Sequence, residues 1–297
     1  MNKVSEKTNG LLNFMDLKQK NNLLLYWIMK FLLILLSLVC ILPILWIILS
    51  AFKTPEEMYK IPPQLLPSSF SIDPIVQVLS KVNFFKYFYN TIIEILGALV
   101  FDIVINGLAG YVLSRIRPKG SALLETIVFG TMLLPSVSMV PLYMTFVDMP
   151  IIHVNLTGSF VPLWLQAGCN AFTIMLFRNF FNGIPMDYLE AARIDGCSNI
   201  KIFFKVILPL SKPIIVVESI FCVINSWKNF MWPYLILGST PKETVSILLY
   251  QISSGNMSIT MPEIMLVVML SIIPPGIFYA IFSKQIMGGM NMSGIKG

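Results

Sequence analysis

Residues 31–52 read FLLILLSLVCILPILWIILSAF, a run of 22 residues without a charged side chain. A helix of this length rises about 33 Å, enough to cross the ~30 Å hydrocarbon layer of a bilayer. The run is too long for the apolar region of a signal peptide, and no small-residue cleavage site stands out. Lys18, Lys20 and Lys30 precede it, so we interpret it as an uncleaved first membrane span that begins on the cytoplasmic side.

The composition of the whole chain agrees with this interpretation. Of 297 residues, 56% are hydrophobic and 12% are charged, and the mean hydropathy is +0.77. Soluble domains carry roughly twice that share of charged residues, about 25%. The composition therefore excludes a soluble enzyme, a disordered chain and a coiled coil, and it predicts an integral membrane protein.

Further charge-poor segments predict an all-α fold with six transmembrane helices and a large polar loop, 178–212, between the fourth and fifth. We expect a cytoplasmic segment at 1–22, a six-span domain at 23–290 and a cytoplasmic tail at 291–297. The predicted spans are 23–52, 88–114, 124–147, 154–177, 208–232 and 264–283. The fifth has the least certain ends, because Glu218 interrupts its apolar core.

The distribution of positive charge predicts the orientation of these spans. With both termini inside, cytoplasmic segments hold 15 of the 21 Lys and Arg residues and outer segments hold 6. The excess of positive charge on cytoplasmic loops favours this arrangement. The loop 178–212 is then the largest cytoplasmic loop.

The sequence contains no motif for chemistry of its own. The four cysteines, Cys40, Cys169, Cys197 and Cys222, form no CxxC pair, and one histidine cannot make a metal site alone. No Walker A or GxGxxG pattern is visible. A transporter of this kind would take its energy from an ion gradient or from a partner, or it would be passive.

The loop at 190–209 has the pattern of two short helices around a turn. Pro185 suits a first helical position, Gly196 a left-handed cap, and Ser198 the N-cap of the second helix. In that second helix the spacing predicts one apolar face, formed by Ile200, Phe203, Phe204 and Ile207. Such a hairpin could rest on lipid headgroups or fit a groove on a cytoplasmic partner.

The same run resembles the EAA loop of ABC importer permeases. The pattern is EAA, three residues, G, nine residues and I-x-L-P, with Val206 here in place of Ile and Cys197 where Ala is common. The resemblance implies that this loop couples the permease to a cytoplasmic ATPase, with Glu190 making a charge contact. The predicted coupling residues are Glu190, Ala191, Ala192, Asp195, Gly196, Leu208 and Pro209.

Flanking motifs resemble the carbohydrate-uptake, maltose-permease-like branch of that family. They are the runs 52–57 (FKTPEE), 225–233 (NSWKNFMWP) and 294–297 (GIKG). The resemblance implies a bacterial cell-membrane permease, not an enzyme, with no cofactor on this chain. It also implies a second, different permease subunit, two ATPase subunits that carry ATP and Mg, and an extracellular solute-binding protein.

Polar side chains inside the predicted spans are candidates for a substrate path. An ionisable group at membrane depth costs about 2.5–3.5 kcal/mol on insertion scales, so it requires a partner or a water-lined route. The alternative is a structural contact between helices. The candidates are Asp102, Asn106, Asn170, Glu218 and Asn225.

Three aromatic residues near the outer end of the fifth predicted span, Trp227, Trp232 and Tyr234, could cover sugar faces or form an interfacial belt.

Three functions follow in order of support. The first is a carbohydrate ABC importer permease, the second an ABC permease for a peptide, polyamine or anion, and the third an ion-coupled transporter that uses Asp102 and Glu218. The EAA pattern argues against the third.

Overall fold

A computed structural model describes residues 20–62, 64–70, 73–133, 139–150 and 152–292. Every regular element among these residues is helical. The predicted terminal segments 1–22 and 291–297, with the GIKG run, lie largely outside the described residues, as does the middle of the third predicted span.

Among the described residues, helices of membrane-spanning length occur at three places. They are α1 (Lys20–Ser50), whose apolar span is Leu24–Ser50, α4 (Phe84–Ile116), and α14 (Met261–Met292), whose apolar span is Met261–Gln285. A fourth candidate is the pair α10 (Asn199–Leu210) and α11 (Lys212–Lys228), which meet at an angle of 84°. Pro209 lies just before this bend, and proline commonly kinks or breaks a helix.

The remaining helices among the described residues are shorter. They are α2 (Pro55–Met58), α3 (Asp73–Lys81), α5 (Ser121–Leu133), α6 (Met139–Val147), α7 (Val161–Gly168), α8 (Ala171–Asn182), α9 (Asp187–Ile194), α12 (Met231–Leu237) and α13 (Val245–Ser253).

The segment predicted as a fourth continuous span, 154–177, is helical only from Val161 and is interrupted after Gly168. Asn170 causes the restart, because its side chain accepts a hydrogen bond from the backbone N–H of Thr173 at 3.2 Å and caps α8. Helix α13, by contrast, lies between the fifth and sixth predicted spans, where no helix was predicted.

The described residues form two compact units. One contains the residues before Val76 together with Thr260–Met269, and the other contains Val76–Ile259 together with the residues from Leu270.

In the first unit, the FKTPEE run builds a rigid turn after α1. The Lys53 ammonium donates to the carbonyl of Gln64 at 2.6 Å and lies 4.0 Å above the centre of the Trp46 ring. Thr54 and Glu57 form a capping box around α2. Hydrogen bonds from Ser68 and from the Thr54 backbone hold the pKa of Glu57 below its usual value.

In the second unit, two apolar clusters support the helices. The first, which we call the hairpin core, lies under the loop 178–212 and consists of Tyr111, Phe177, Phe181, Ile184, Leu189, Ala192, Ile202, Phe203 and Ile207. The second consists of Phe146, Phe160, Leu163, Ile236, Leu237 and Ile247.

Helices α4 and α8 approach each other closely at Gly110. A Cβ atom there would lie 2.8 Å from the Cβ of Phe177 and 2.9 Å from the backbone nitrogen of Arg178. The absence of a side chain therefore allows the two backbones to pack directly, as small residues commonly do between membrane helices.

Candidate functional site

A polar cavity of about 430 Å³ lies within the second unit, between α4, α7, the start of α8 and α11. Four of the five predicted substrate-path residues line it: Asp102, Asn170, Glu218 and Asn225. The other lining residues are Glu94, Leu163, Gln166, Ala167, Cys222, Ser226, Lys228 and Asn229. Polar side chains scattered between positions 94 and 229 thus share one space.

Asn106, the fifth predicted path residue, is fully buried behind this lining. Its amide nitrogen donates to Oδ1 of Asp102 at 2.7 Å and to the carbonyl of Ala167 at 2.9 Å. Its amide oxygen accepts from the backbone N–H of Asn170 at 3.1 Å. Asn106 therefore links α4 to the break between α7 and α8. This is a structural contact between helices, the alternative to a place on the substrate path.

Asp102 and Asn106 bound a π-helical turn in α4. Such turns are rare, and they are frequent at functional sites because the extra residue changes which side chains face a given side. Here the turn leaves Asp102 on the cavity wall and Asn106 in the contact with α7 and α8.

Glu218 enters the cavity from α11, the helix opposite Asp102. Its Oε1 accepts a hydrogen bond from the Thr173 hydroxyl at 2.8 Å. Its Oε2 and the Oδ2 of Asp102 are both buried and have no hydrogen-bond partner among the described residues. Buried carboxylate oxygens are normally satisfied, so these two are the chemically open positions of the cavity.

Glu94, Gln166, Ser226 and Asn229 line the cavity without having been selected from the sequence. Glu94 lies inside the second predicted span, 88–114. Because α4 begins at Phe84, Glu94 lies three turns inside the helix, and the rule applied to Asp102 would have selected it. The remaining three carry no comparable signal, because neutral polar side chains are common at helix contacts.

The aromatic residues of the fifth predicted span pack on other rings. Trp227 lies 6.1 Å from Phe88 and Trp232 lies 6.3 Å from Phe146, measured between ring centroids. Neither tryptophan, nor Tyr234, lines the cavity. Their rings serve packing in the described structure.

The loop 178–212 forms a helical hairpin. Helix α9 ends before Gly196, which has a φ of +75°, and Ser198 caps α10 through the N–H of Lys201. These two predictions of the turn are confirmed. Pro185 lies two residues before the start of α9, not at its first position as expected.

The predicted apolar face of the second hairpin helix is wrong in two of its four members. Phe203 and Ile207 are buried in the hairpin core, but Ile200 is 67% exposed and Phe204 is 45% exposed. A π-helical turn at Phe203–Ile207 rotates the residues within and after it relative to the 3.6-residue spacing assumed from the sequence, which accounts for Phe204 but not for Ile200, which precedes the turn.

The seven predicted coupling residues divide into two groups. Ala192 is buried in the hairpin core and Leu208 is packed against it, so these two support the hairpin from inside. The others are exposed on its outer side: Glu190, Ala191, Asp195, Gly196 and Pro209.

Arg115, at the end of α4, ties the base of the hairpin to that helix. Its guanidinium donates to the backbone carbonyls of Phe181 and Ile184. Phe181 lies in the last turn of α8 and Ile184 lies two residues after its end, where backbone carbonyls lack the usual helical donor four residues on. Helix α4 thus carries Asp102 at the cavity and Arg115 at the hairpin.

A long-helix protein with a polar cavity among its apolar helices belongs to the class of membrane permeases. The family profile of the binding-protein-dependent transport system inner membrane component matches residues 103–288. The chain therefore belongs to this family of ABC importer permeases.

Curated relatives match almost the whole chain. A polygalacturonan/rhamnogalacturonan transport system permease of Bacillus subtilis is 31% identical over 89% of this chain and 96% of the relative. An arabinooligosaccharides transport system permease of Halalkalibacterium halodurans is 25% identical over 95% of this chain and 100% of the relative. A diacetylchitobiose uptake system permease of Streptomyces coelicolor is 26% identical over 88% of this chain and 85% of the relative.

A solved structure shares the fold. It is a chain of a bacterial ABC transporter involved in the import of the acidic polysaccharide alginate, with a TM-score of 0.77 and 24% identity. The match covers 90% of this chain and 98% of that chain.

Proposed function

We propose that this chain is one of two different permease subunits of an ABC importer for an oligosaccharide or another carbohydrate. Its six spans place both termini in the cytoplasm of a bacterial cell. The importer contains two ATPase subunits, one of which docks on this hairpin, and an extracellular solute-binding protein delivers the substrate. The relatives are named for transport of polygalacturonan/rhamnogalacturonan, arabinooligosaccharides and diacetylchitobiose, and these names support the carbohydrate assignment.

The observation that carries the proposal is the polar cavity within a helical bundle of this family. Sugars are recognised through hydroxyl groups, which pair with carboxylate and amide side chains of the kind that line it. We assign Asp102, Asn170, Glu218 and Asn225 to the substrate path and give Asn106 a positioning role.

The coupling role is assigned to the exposed outer side of the hairpin. Glu190 lies in the first turn of α9, one turn after Asp187 on the same helix, and both are exposed. The family pattern selects Glu190 and not Asp187. This pair therefore offers a matched test, because either substitution removes one exposed carboxylate from α9.

The test is co-purification in mild detergent, followed by ATP-dependent uptake in proteoliposomes that contain the complex and its binding protein. We expect an ABC ATPase and a second permease to accompany the wild-type chain. Glu190→Ala should weaken the ATPase association and reduce ATP-driven uptake, whereas Asp187→Ala should leave both near the wild-type level.

A wild-type chain that purifies without an ATPase, in cells whose uptake is abolished by uncouplers, would contradict the proposal. It would favour ion-coupled transport through Asp102 and Glu218. Uptake that depends on ATP but concerns a peptide, polyamine or anion would keep the ABC assignment and remove the carbohydrate assignment.

A further inference from the structure

The charges around the cavity are unequal. Three carboxyl groups line it, on Glu94, Asp102 and Glu218, against one ammonium group, on Lys228. The carboxyl groups are buried, whereas Lys228 is exposed in the last turn of α11. Acidic side chains therefore outnumber basic ones around the cavity, and the basic side chain is the one most strongly screened by solvent.

Two of these carboxyl groups are also incompletely hydrogen-bonded. Asp102 is 3% exposed and Glu218 is 5% exposed. Asn106 and Thr173 each satisfy one oxygen of these groups, whereas Oδ2 of Asp102 and Oε2 of Glu218 have no partner among the described residues. A buried acceptor without a donor costs about 1–3 kcal/mol, and more when it is charged.

We propose, building on the carbohydrate function above, that this cavity selects for hydrogen-bond donors and positive charge. The part of the substrate that occupies it is an uncharged or amino-bearing sugar, and a uronate is disfavoured. A sugar hydroxyl donates one hydrogen bond and an ammonium group donates three, whereas a uronate carboxylate only accepts. A uronate would also be repelled by the carboxylates of the cavity wall.

This selectivity separates the chain from two proteins that it resembles. One relative is named for polygalacturonan/rhamnogalacturonan transport and the structural neighbour for import of an acidic polysaccharide. The proposal therefore predicts a different charge preference from the one that those names suggest.

A thiol already present in the cavity makes a direct test possible. Cys222 lines the same space as the carboxyl groups, and the other three cysteines, Cys40, Cys169 and Cys197, can be replaced by Ser. The reconstituted complex with Cys222 as its remaining permease thiol is treated with three methanethiosulfonates. They are a cationic aminoethyl, an anionic sulfonatoethyl and a neutral methyl reagent. The rate at which each reagent modifies Cys222 is divided by the rate at which the same reagent modifies free mercaptoethanol.

We expect the cationic reagent to react at least about tenfold faster than the anionic one after this correction, which corresponds to ~1.4 kcal/mol of electrostatic preference. The double variant Asp102→Asn, Glu218→Gln should lose most of this ratio. Asp187→Asn, which removes a carboxylate from the exposed hairpin, should leave it unchanged.

If the cationic and anionic reagents react at equal corrected rates, or the anionic reagent reacts faster, the proposal is overturned. This result needs no variant of the carboxyl groups. The neutral reagent is the control for access to the Cys222 thiol, which is itself buried. If the cationic reagent is not faster but ATP-driven sugar uptake is intact, only the charge preference is refuted. Loss of the ATPase partner refutes the proposed function, whatever the labelling shows.

Discussion

The hairpin and the cavity arrange polar and apolar groups in opposite ways. In the hairpin, apolar side chains form the inside and the polar residues of the EAA pattern are exposed. In the cavity, polar side chains are buried among helices, and some of them hold the helices together. Substitutions of exposed side chains on the hairpin should therefore separate stability from function, whereas substitutions of buried polar side chains at the cavity should change both together.

The largest expected effect concerns the inside of the hairpin. Phe203→Ala removes a fully buried ring from the hairpin core and should destabilise the protein by about 3–5 kcal/mol. Phe204→Ala, the neighbouring position, removes a ring that is 45% exposed and should cost far less. Thermal unfolding in detergent measures both, and equal losses would show that the π-turn register is wrong.

The contact between α4 and α8 should be the next most sensitive position. Gly110→Ala places a methyl group 2.8 Å from the Cβ of Phe177 and beside the backbone of Arg178, and over-packing of this kind costs about 1–3 kcal/mol. Gly130→Ala is the control, because no atom lies within 4 Å of its new methyl group. If both variants unfold at the wild-type temperature, the close approach does not exist.

Within the cavity, Asn106 and Asn225 should differ. Asn106→Ala breaks three hydrogen bonds and leaves the carbonyl of Ala167 without its side-chain donor, so we expect a loss of about 1–3 kcal/mol together with reduced transport. Asn225→Ala alters an exposed lining residue and should reduce transport with little change in unfolding temperature. A stable Asn106→Ala protein would contradict the positioning role.

The smallest effect on stability is expected at the hairpin turn. Gly196 has a φ of +75°, which costs other L-residues about 1–2 kcal/mol, although Asn tolerates it better. Gly196→Ala should therefore lower the unfolding temperature and weaken ATPase association more than Gly196→Asn does. The reverse order would show that side-chain volume at the turn, and not backbone conformation, matters for coupling.

Local features of the chain were predictable because they depend on near neighbours. The cap at Ser198 and the left-handed Gly196 follow from residue types and spacings of a few positions. The apolar face of α10 failed at Phe204 because a π-turn breaks the regular period on which such a prediction rests. The start of α7 was missed because apolar content alone does not distinguish a helix from an extended apolar segment.

The sequence by itself determined that this chain is a helical membrane protein with an EAA hairpin, since hydropathy and short motifs are local properties. It also marked Asp102 and Glu218, because charge in an apolar run is costly wherever it lies. Only the tertiary structure decided that these carboxyl groups share one cavity with Glu94, that Asn106 stands behind the wall, and that Ala192 faces inward. Those facts depend on contacts between helices that are distant in the chain, and no local pattern encodes them.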